Sequence, residues 1–221
     1  MTYIIDSRRR RLLGAALSAA GLVLLPGTSA FAAGPQPTPR QTRGPFYPRQ
    51  LPLDKDNDLV TVAGQSGIAK GEIANVAGRV LDGRGRPVAN ARIEIWQCDA
   101  NGRYHHPGDR RNAPLDPNFQ GYGQFITAAD GAYRFRTIKP VPYPGRTPHI
   151  HFAIGGPDFA PLVTQMYVAG AAENQWDGLF NALPPAAQAA VLVDFAPAGD
   201  GSGELLGRFD IVLAADGRFG G

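Results

Sequence analysis

The chain has 221 residues, with 22 Lys or Arg against 19 Asp or Glu, 43% hydrophobic residues and a single cysteine, Cys98. Four of the basic residues and one of the acidic ones fall within residues 1–32, so the remaining 189 residues carry 18 of each sign. A body with that balance offers no polybasic surface for nucleic acid or an anionic membrane, forms no intrachain disulfide, and has length enough for one domain with a substantial core.

Residues 1–32 read as a secretory leader. Ser7 precedes the four arginines Arg8 to Arg11, an apolar run extends from Leu12 to Leu25, and Ala30-Phe31-Ala32 supplies small residues for cleavage. Consecutive arginines favour the twin-arginine route. The apolar run is shorter than the ~20 residues that span a bilayer, which favours a cleaved leader over an anchor. The expected location is periplasmic or extracellular, with no stable membrane span after cleavage. Export of an already folded chain is compatible with a metal loaded beforehand.

Residues 33–70 are expected to form an extended arm and residues 71–221 the main domain. The arm is rich in proline from Gly34 to Arg49, which excludes regular helix and central strand. Its aromatic pair Phe46-Tyr47 predicts that it packs against the domain. Period-2 alternation then marks strands at Ile73–Val80, Ala91–Gln97, Gln124–Thr127 and Ala132–Ile138. Turn residues separate them at Asp82–Pro87 and at Asp130-Gly131, and the stretch Asp99 to Tyr122 is a long loop.

After a proline break at Lys139–Pro144, His149–Phe152 and Leu162–Val168 resume extended character. Between Asn174 and Ala190 a helical turn or two is expected, with Pro184-Pro185 at a helix start. Val191–Phe195 and Gly207–Leu213 read as closing strands. About seven short strands with turn signals between them predict an all-β fold, an antiparallel β-sandwich with long active-site loops and little helix.

All four histidines lie between His105 and His151. If His149 to Phe152 is extended, the imidazoles of His149 and His151 share one face and form a paired ligand site. The metal depends on the remaining donors. Imidazole suits Zn, Cu, Fe and Ni, whereas a tyrosine phenolate is a hard anionic donor that favours Fe(III) and binds only if the metal displaces its proton. Spacing alone leaves open a Cu or Zn site, and equally a non-enzymatic β-sandwich that binds carbohydrate or protein through surface tyrosines. His105 and His106, in a polar loop, are expected outside the ligand set, and Arg146 reads equally well as a surface cation.

Longer motifs narrow these readings. The runs Asn101-Gly-Arg-Tyr104-His-His, Ala113-Pro-Leu-Asp-Pro-Asn-Phe119, Tyr133-Arg-Phe-Arg-Thr-Ile-Lys-Pro-Val-Pro-Tyr143-Pro and Arg146-Thr-Pro-His149-Ile-His151-Phe152 occur in that order. This series, with Thr38-Pro-Arg-Gln-Thr-Arg-Gly-Pro-Phe-Tyr47 before it, resembles the intradiol ring-cleavage dioxygenases, most of all their protocatechuate-type members.

The resemblance implies a non-haem Fe(III) site in a β-sandwich, ligated by Tyr104, Tyr143, His149 and His151. A catecholic substrate would chelate the iron, displacing hydroxide and Tyr143. Oxygen from O2 would enter between the two hydroxylated carbons, giving a cis,cis-muconate-type diacid. Arg146 is implied as a catalytic cation that stabilises carbanion character on the ring, and Gln165 as a polar pocket residue.

Two departures are visible. The segment between Tyr143 and Arg146 is short, with Gly145 where the family carries tryptophan, and the helical amino-terminal domain of catechol 1,2-dioxygenases is not found. Catechol, protocatechuate, hydroxyquinol and larger catechols therefore remain candidate substrates, and a homo-oligomer is left open.

Overall fold

Residues 34–214 are described by the computed structural model; the leader expected at residues 1–32 lies outside them. Among the described residues, ten strands form two five-stranded sheets. In chain order they are β1 (Ile73–Leu81), β2 (Arg92–Trp96), β3 (Tyr122–Ile126), β4 (Ala132–Ile138), β5 (His149–Gly156), β6 (Phe159–Val168), β7 (Leu192–Val193), β8 (Phe195–Pro197), β9 (Leu205–Arg208) and β10 (Ile211–Val212). Among the described residues, helix is confined to a 3-10 turn at Ala172–Gln175 and two short helices, α1 (Gly178–Asn181) and α2 (Pro185–Ala189). No helix among the described residues is long and apolar enough to cross a membrane.

The expected β-sandwich is present, and its central ladders are antiparallel. One sheet has the order β3-β2-β5-β6-β7. In the other, β1 pairs with β4 along one antiparallel ladder and with β9 and β10 in parallel. A further parallel pair, β6 with β7, makes both sheets mixed.

Alternation along the strands decides which face is core. Ile93 and Ile95 of β2 and Ile150, Phe152 and Ile154 of β5 are at most 1% exposed and pack with Val76 and Phe135 of the opposite sheet. Full burial of each such side chain contributes about 1.5–3 kcal/mol. The alternate positions Trp96, His149 and His151 point to the other face of the same sheet.

That other face is covered by the arm and by the Asp99–Tyr122 loop. The arm is tied along its length. Thr38 N donates to Val212 O at 3.0 Å, Gln41 N to Val163 O at 2.8 Å, and Tyr47 Oη to Glu94 Oε2 at 2.8 Å. Phe46 stacks on Tyr104 with ring centroids 4.8 Å apart, so the aromatic pair packs as the sequence predicts.

Two expected closing strands are each divided. Leu192–Val193 pairs with β6, whereas Phe195–Pro197 pairs with β9, so the chain changes sheet at Asp194. At Phe209-Asp210 the last strand breaks because Asp210 Oδ1, rather than a backbone carbonyl, accepts Arg79 N at 2.8 Å. The hairpin between β5 and β6, turning at Pro157-Asp158, was not anticipated. The helix start at Pro185, with Pro184 as its N-cap, agrees with the sequence.

Candidate metal centre

β5 presents His149 and His151 on one face, and its neighbours fix what surrounds them. Trp96 lies directly opposite His151 on β2, while Gln165 and Tyr167 on β6 lie opposite His151 and His149. Trp96 stacks on the His151 ring at 4.9 Å with an interplanar angle of 3°, and the two imidazoles meet edge to face at 4.9 Å. A Cβ on Gly44 of the arm would lie 3.2 Å from His151 Cε1, so the arm closes over that ring's edge.

The phenols arrive from two loops. Tyr104 Oη lies 3.4 Å from His149 Nε2, and its ring meets Tyr143 at 5.8 Å and His151 at 6.4 Å. Tyr143 lies 5.5 Å from His149, centroid to centroid. All four residues named from the sequence as metal donors are therefore brought together. Tyr104 is 2% exposed, which removes it from any role as a surface stacking group.

The Tyr104 loop is held by three buried aspartates that replace missing secondary structure. Asp99 accepts from Asn101 N, Arg103 N and Asp116 N; Asp116 accepts from Lys70 N; Asp109 accepts from Tyr104 N at 2.8 Å. Burial acts to raise the Asp109 carboxyl, but hydrogen bonds from the Arg111 side chain and from backbone N–H groups outweigh it and push it down to about 2.

The donor set fits a strongly Lewis-acidic cation. His149 Nδ1 donates to Thr147 O at 2.6 Å, which fixes the tautomer and leaves Nε2 with its lone pair toward Tyr104. Burial, reinforced by the Arg146 charge, pushes His149 down to about 3; burial, His149 and Arg146 together hold His151 well below its usual range. Both rings are therefore neutral. His151 Nδ1 is buried without a hydrogen-bond partner, an orphaned polar atom in the same cluster.

Burial, with Tyr143 beside it, holds Tyr104 well above its usual value, and burial raises Tyr143 against the opposing Arg146 charge. Without a cation both phenols keep their protons. Among the described residues no group of three His, Cys, Asp or Glu is placed to hold a metal. Cys98 is buried and pushed up to about 12 by desolvation, and its Sγ faces Val141 O.

Neutral buried imidazoles impose a pH dependence on the metal-free chain. In the unfolded state both histidines titrate near ~6.5, so below that pH the unfolded chain binds more protons than the folded one. Stability then falls as pH falls, with a slope of up to about 1.4 kcal/mol per pH unit for each ring. Urea unfolding of the metal-free protein should give a midpoint that drops between pH 6.5 and 4.5, above the carboxylate range. A His149→Gln variant should show a shallower drop; equal slopes would count against a neutral buried His149.

Arg146 and Gln165 also reach the site. Arg146 Nη2 donates to Gln165 Oε1 at 2.6 Å, and Arg146 Nε donates to Asp177 Oδ2 at 2.8 Å. Gln165 N in turn donates to Gln41 Oε1 of the arm at 3.0 Å. His105 and His106 contribute no donor: His105 Nε2 sits 3.9 Å from Asp99, and His106 Nδ1 accepts from Gly108 N.

Asp177, Thr147 and Trp96 were not singled out from the sequence. Asp177 accepts Arg146 Nε and Thr147 N on one oxygen and Leu179 N and Phe180 N on the other, capping α1. An Asp before Gly178 at the start of a helical turn was a visible cap signal. For Trp96 the signal was a large aromatic alternating with Arg92 and Glu94 on the face opposite Ile93 and Ile95.

Comparisons with known proteins agree with this geometry. Residues 42–215 match the Dioxygenase_C family, described as Dioxygenase. The protocatechuate 3,4-dioxygenase beta chain of Burkholderia cepacia is 46% identical over 183 residues, covering 79% of this chain and 78% of its own. A hydroxyquinol 1,2-dioxygenase of Corynebacterium glutamicum is 33% identical over 197 residues; this chain spans 62% of its length. Among solved structures, the dioxygenase domain of a dioxygenase carbohydrate-binding protein fusion from Streptomyces sp. SirexAA-E superposes with a TM-score of 0.63 at 33% identity. The match covers 81% of this chain and 99% of that one.

Proposed function

We infer that this chain, which belongs to the intradiol ring-cleavage dioxygenase family, binds a non-haem Fe(III) through Tyr104, Tyr143, His149 and His151 and opens catecholic rings between their two hydroxylated carbons with O2, giving cis,cis-muconate-type diacids. The observation that carries the inference is the convergence of two phenols and two neutral imidazoles in a buried cluster with an orphaned ring nitrogen. When bound, Fe(III) supplies the Lewis acidity that deprotonates the phenols and the catechol and makes the ring reactive toward O2.

The chain's own residues bind, orient and exclude water. Thr147 O keeps His149 in the tautomer that offers Nε2 to the cluster. Trp96, Phe46 and the arm cover the His151 and Tyr104 side, so the approach for a ring lies beside Tyr143. There a cavity of about 420 Å³ is lined by Phe46, Asp109, Arg110, Arg111, Tyr143 and Pro144. Gly145 has φ +85°, and a Cβ on it would meet no atom within 4 Å. The open space beside Gly145 supports catechols bearing ring substituents as the substrate class.

Arg146 holds a fixed positive charge next to the cluster, aimed by Asp177 and Gln165, and can stabilise negative charge developing on a bound ring. Arg146→Ala is expected to retain iron while turnover falls by about 10²–10³-fold; unchanged steady-state turnover would remove the catalytic role.

The test of the function is a visible spectrum with iron quantitation, before and after anaerobic addition of catechol. One iron per chain with a phenolate-to-iron band that shifts on catechol binding supports the assignment. A protein that stays colourless and takes up neither ferric nor ferrous iron defeats it. Export rests on the Arg8–Arg11 and Leu12–Leu25 pattern, and amino-terminal sequencing of secreted protein checks cleavage after Ala32.

A further inference from the structure

Three of the four candidate donors are locked by burial: Tyr104, His149 and His151 are at most 2% exposed. Tyr143 is different. It is only partly buried and begins a turn closed by Arg146 N donating to Tyr143 O at 2.9 Å and Tyr143 N donating to Arg146 O at 3.3 Å. The turn runs through exposed Pro144 and Gly145. Its backbone leaves the direction of the Tyr143 ring to whatever side chains touch it.

The rings of Tyr104 and His149 touch that of Tyr143 from the cluster, and Arg111 lies against its face. Its guanidinium carbon sits 4.3 Å from the Tyr143 ring centroid, 5.5 Å from Phe46 and 5.9 Å from Tyr104. Asp109 grips the other side of the guanidinium, accepting from Nε at 2.8 Å and also from Nη2. The remaining nitrogen, Nη1, is buried without an oxygen or nitrogen partner, which leaves the ring faces as its surroundings. Asp109 itself is 4% exposed and accepts from Tyr104 N at 2.8 Å. One carboxylate therefore joins the backbone of the buried phenol to the cation that lies against the other phenol.

We propose that Arg111 is a positioning residue for Tyr143: clamped by Asp109, its guanidinium presses on the tyrosine ring face and holds the hydroxyl in the donor cluster. A planar cation against an aromatic face is attracted by the ring quadrupole, more strongly where water is excluded. Arg146 does not duplicate this role, since its Nε and Nη2 are taken by Asp177 and Gln165. The consequence for metal retention rests on the iron site inferred above; the geometric role does not.

The first test uses metal-free protein labelled with 3-fluorotyrosine, with the Tyr143 resonance assigned by its loss in Tyr143→Phe. In Arg111→Met, which keeps the stem and removes the cation, the Tyr143 resonance should sharpen and move toward its solvent-exposed position while that of Tyr167 stays. Arg111→Lys should fall between, and serves alone should the methionine variant not fold. A Tyr143 resonance that does not move in the folded variants would overturn the proposal.

The second test follows loss of Fe(III) to a competing chelator. Arg111→Met should release iron about 3- to 30-fold more readily than the unsubstituted protein, with Arg111→Lys between them. Iron release unchanged in a folded methionine variant would overturn the proposal. Failure of the unsubstituted protein to take up iron would count against the function inferred above, and the fluorine spectra would still decide Arg111.

Discussion

Asp177→Ala is expected to lower the unfolding free energy by about 3–5 kcal/mol, the magnitude found when one partner of a buried charge pair is removed. Asp177 is fully buried, and the Arg146 side chain beside it is only 16% exposed. Its loss would strand the guanidinium, the Thr147 N–H and the two N–H groups of α1 that it caps. Asp177→Asn should recover the α1 cap but turn an N–H toward Arg146 or Thr147, and so restore only part of the stability.

The effect should also reach the metal. Thr147, released at its N–H, presents the carbonyl that orients His149, so iron retention should fall with stability. Urea unfolding of the metal-free protein, with iron content measured beside it, checks both. A stability change below about 1 kcal/mol in the alanine variant would show that the charge pair is solvated and that Asp177 does not hold this corner together.

Tyr104→Phe is expected to do the reverse, leaving the fold intact and abolishing iron binding. The hydroxyl's partners are themselves members of the cluster, His149 at 3.4 Å and Tyr143. Removing it should therefore cost the metal-free protein no more than about 1 kcal/mol. The ring stays, and with it the stacking on Phe46. An anionic oxygen in the centre of the donor set is lost, however, and the remaining imidazoles and one phenol make a poorer match for Fe(III).

The expected result is a normal unfolding midpoint without the visible band and with iron reduced to background. Retention of one iron per chain with an unshifted band would exclude Tyr104 as a ligand. The paired outcomes separate structural from chemical roles, because Asp177 carries several hydrogen bonds of the fold and the Tyr104 hydroxyl carries none outside the cluster.

The strands were legible because alternation reports a local property: one face of each strand meets the core, and the residue pattern records which. β1, β2, β4 and β5 were found at nearly their observed starts for that reason, and the shared face of His149 and His151 follows from the same pleat. The candidate donors were legible through ordered motifs around Tyr104, Tyr143 and His149.

Where the chain changes partner, local pattern was silent. Val191–Phe195 looks like one strand, yet Asp194 divides it between two sheets, because hydrogen bonding to β6 or β9 depends on where those strands lie and not on the residues themselves. Arg111 and Asp177 were missed for the same reason. A charged residue in a loop carries no mark of its partner; 31 residues separate Arg146 from Asp177, and only folding brings the carboxylate to the guanidinium.

The sequence by itself determined the sandwich, the paired histidines and the types of donor, since each depends on periodicity or on the identity of a side chain. The tertiary structure alone decided that the donors converge, that burial keeps both imidazoles neutral, and that Asp109 pairs with Arg111 and Asp177 with Arg146 beside the cluster. Those properties arise from distances between loops, which no local pattern encodes.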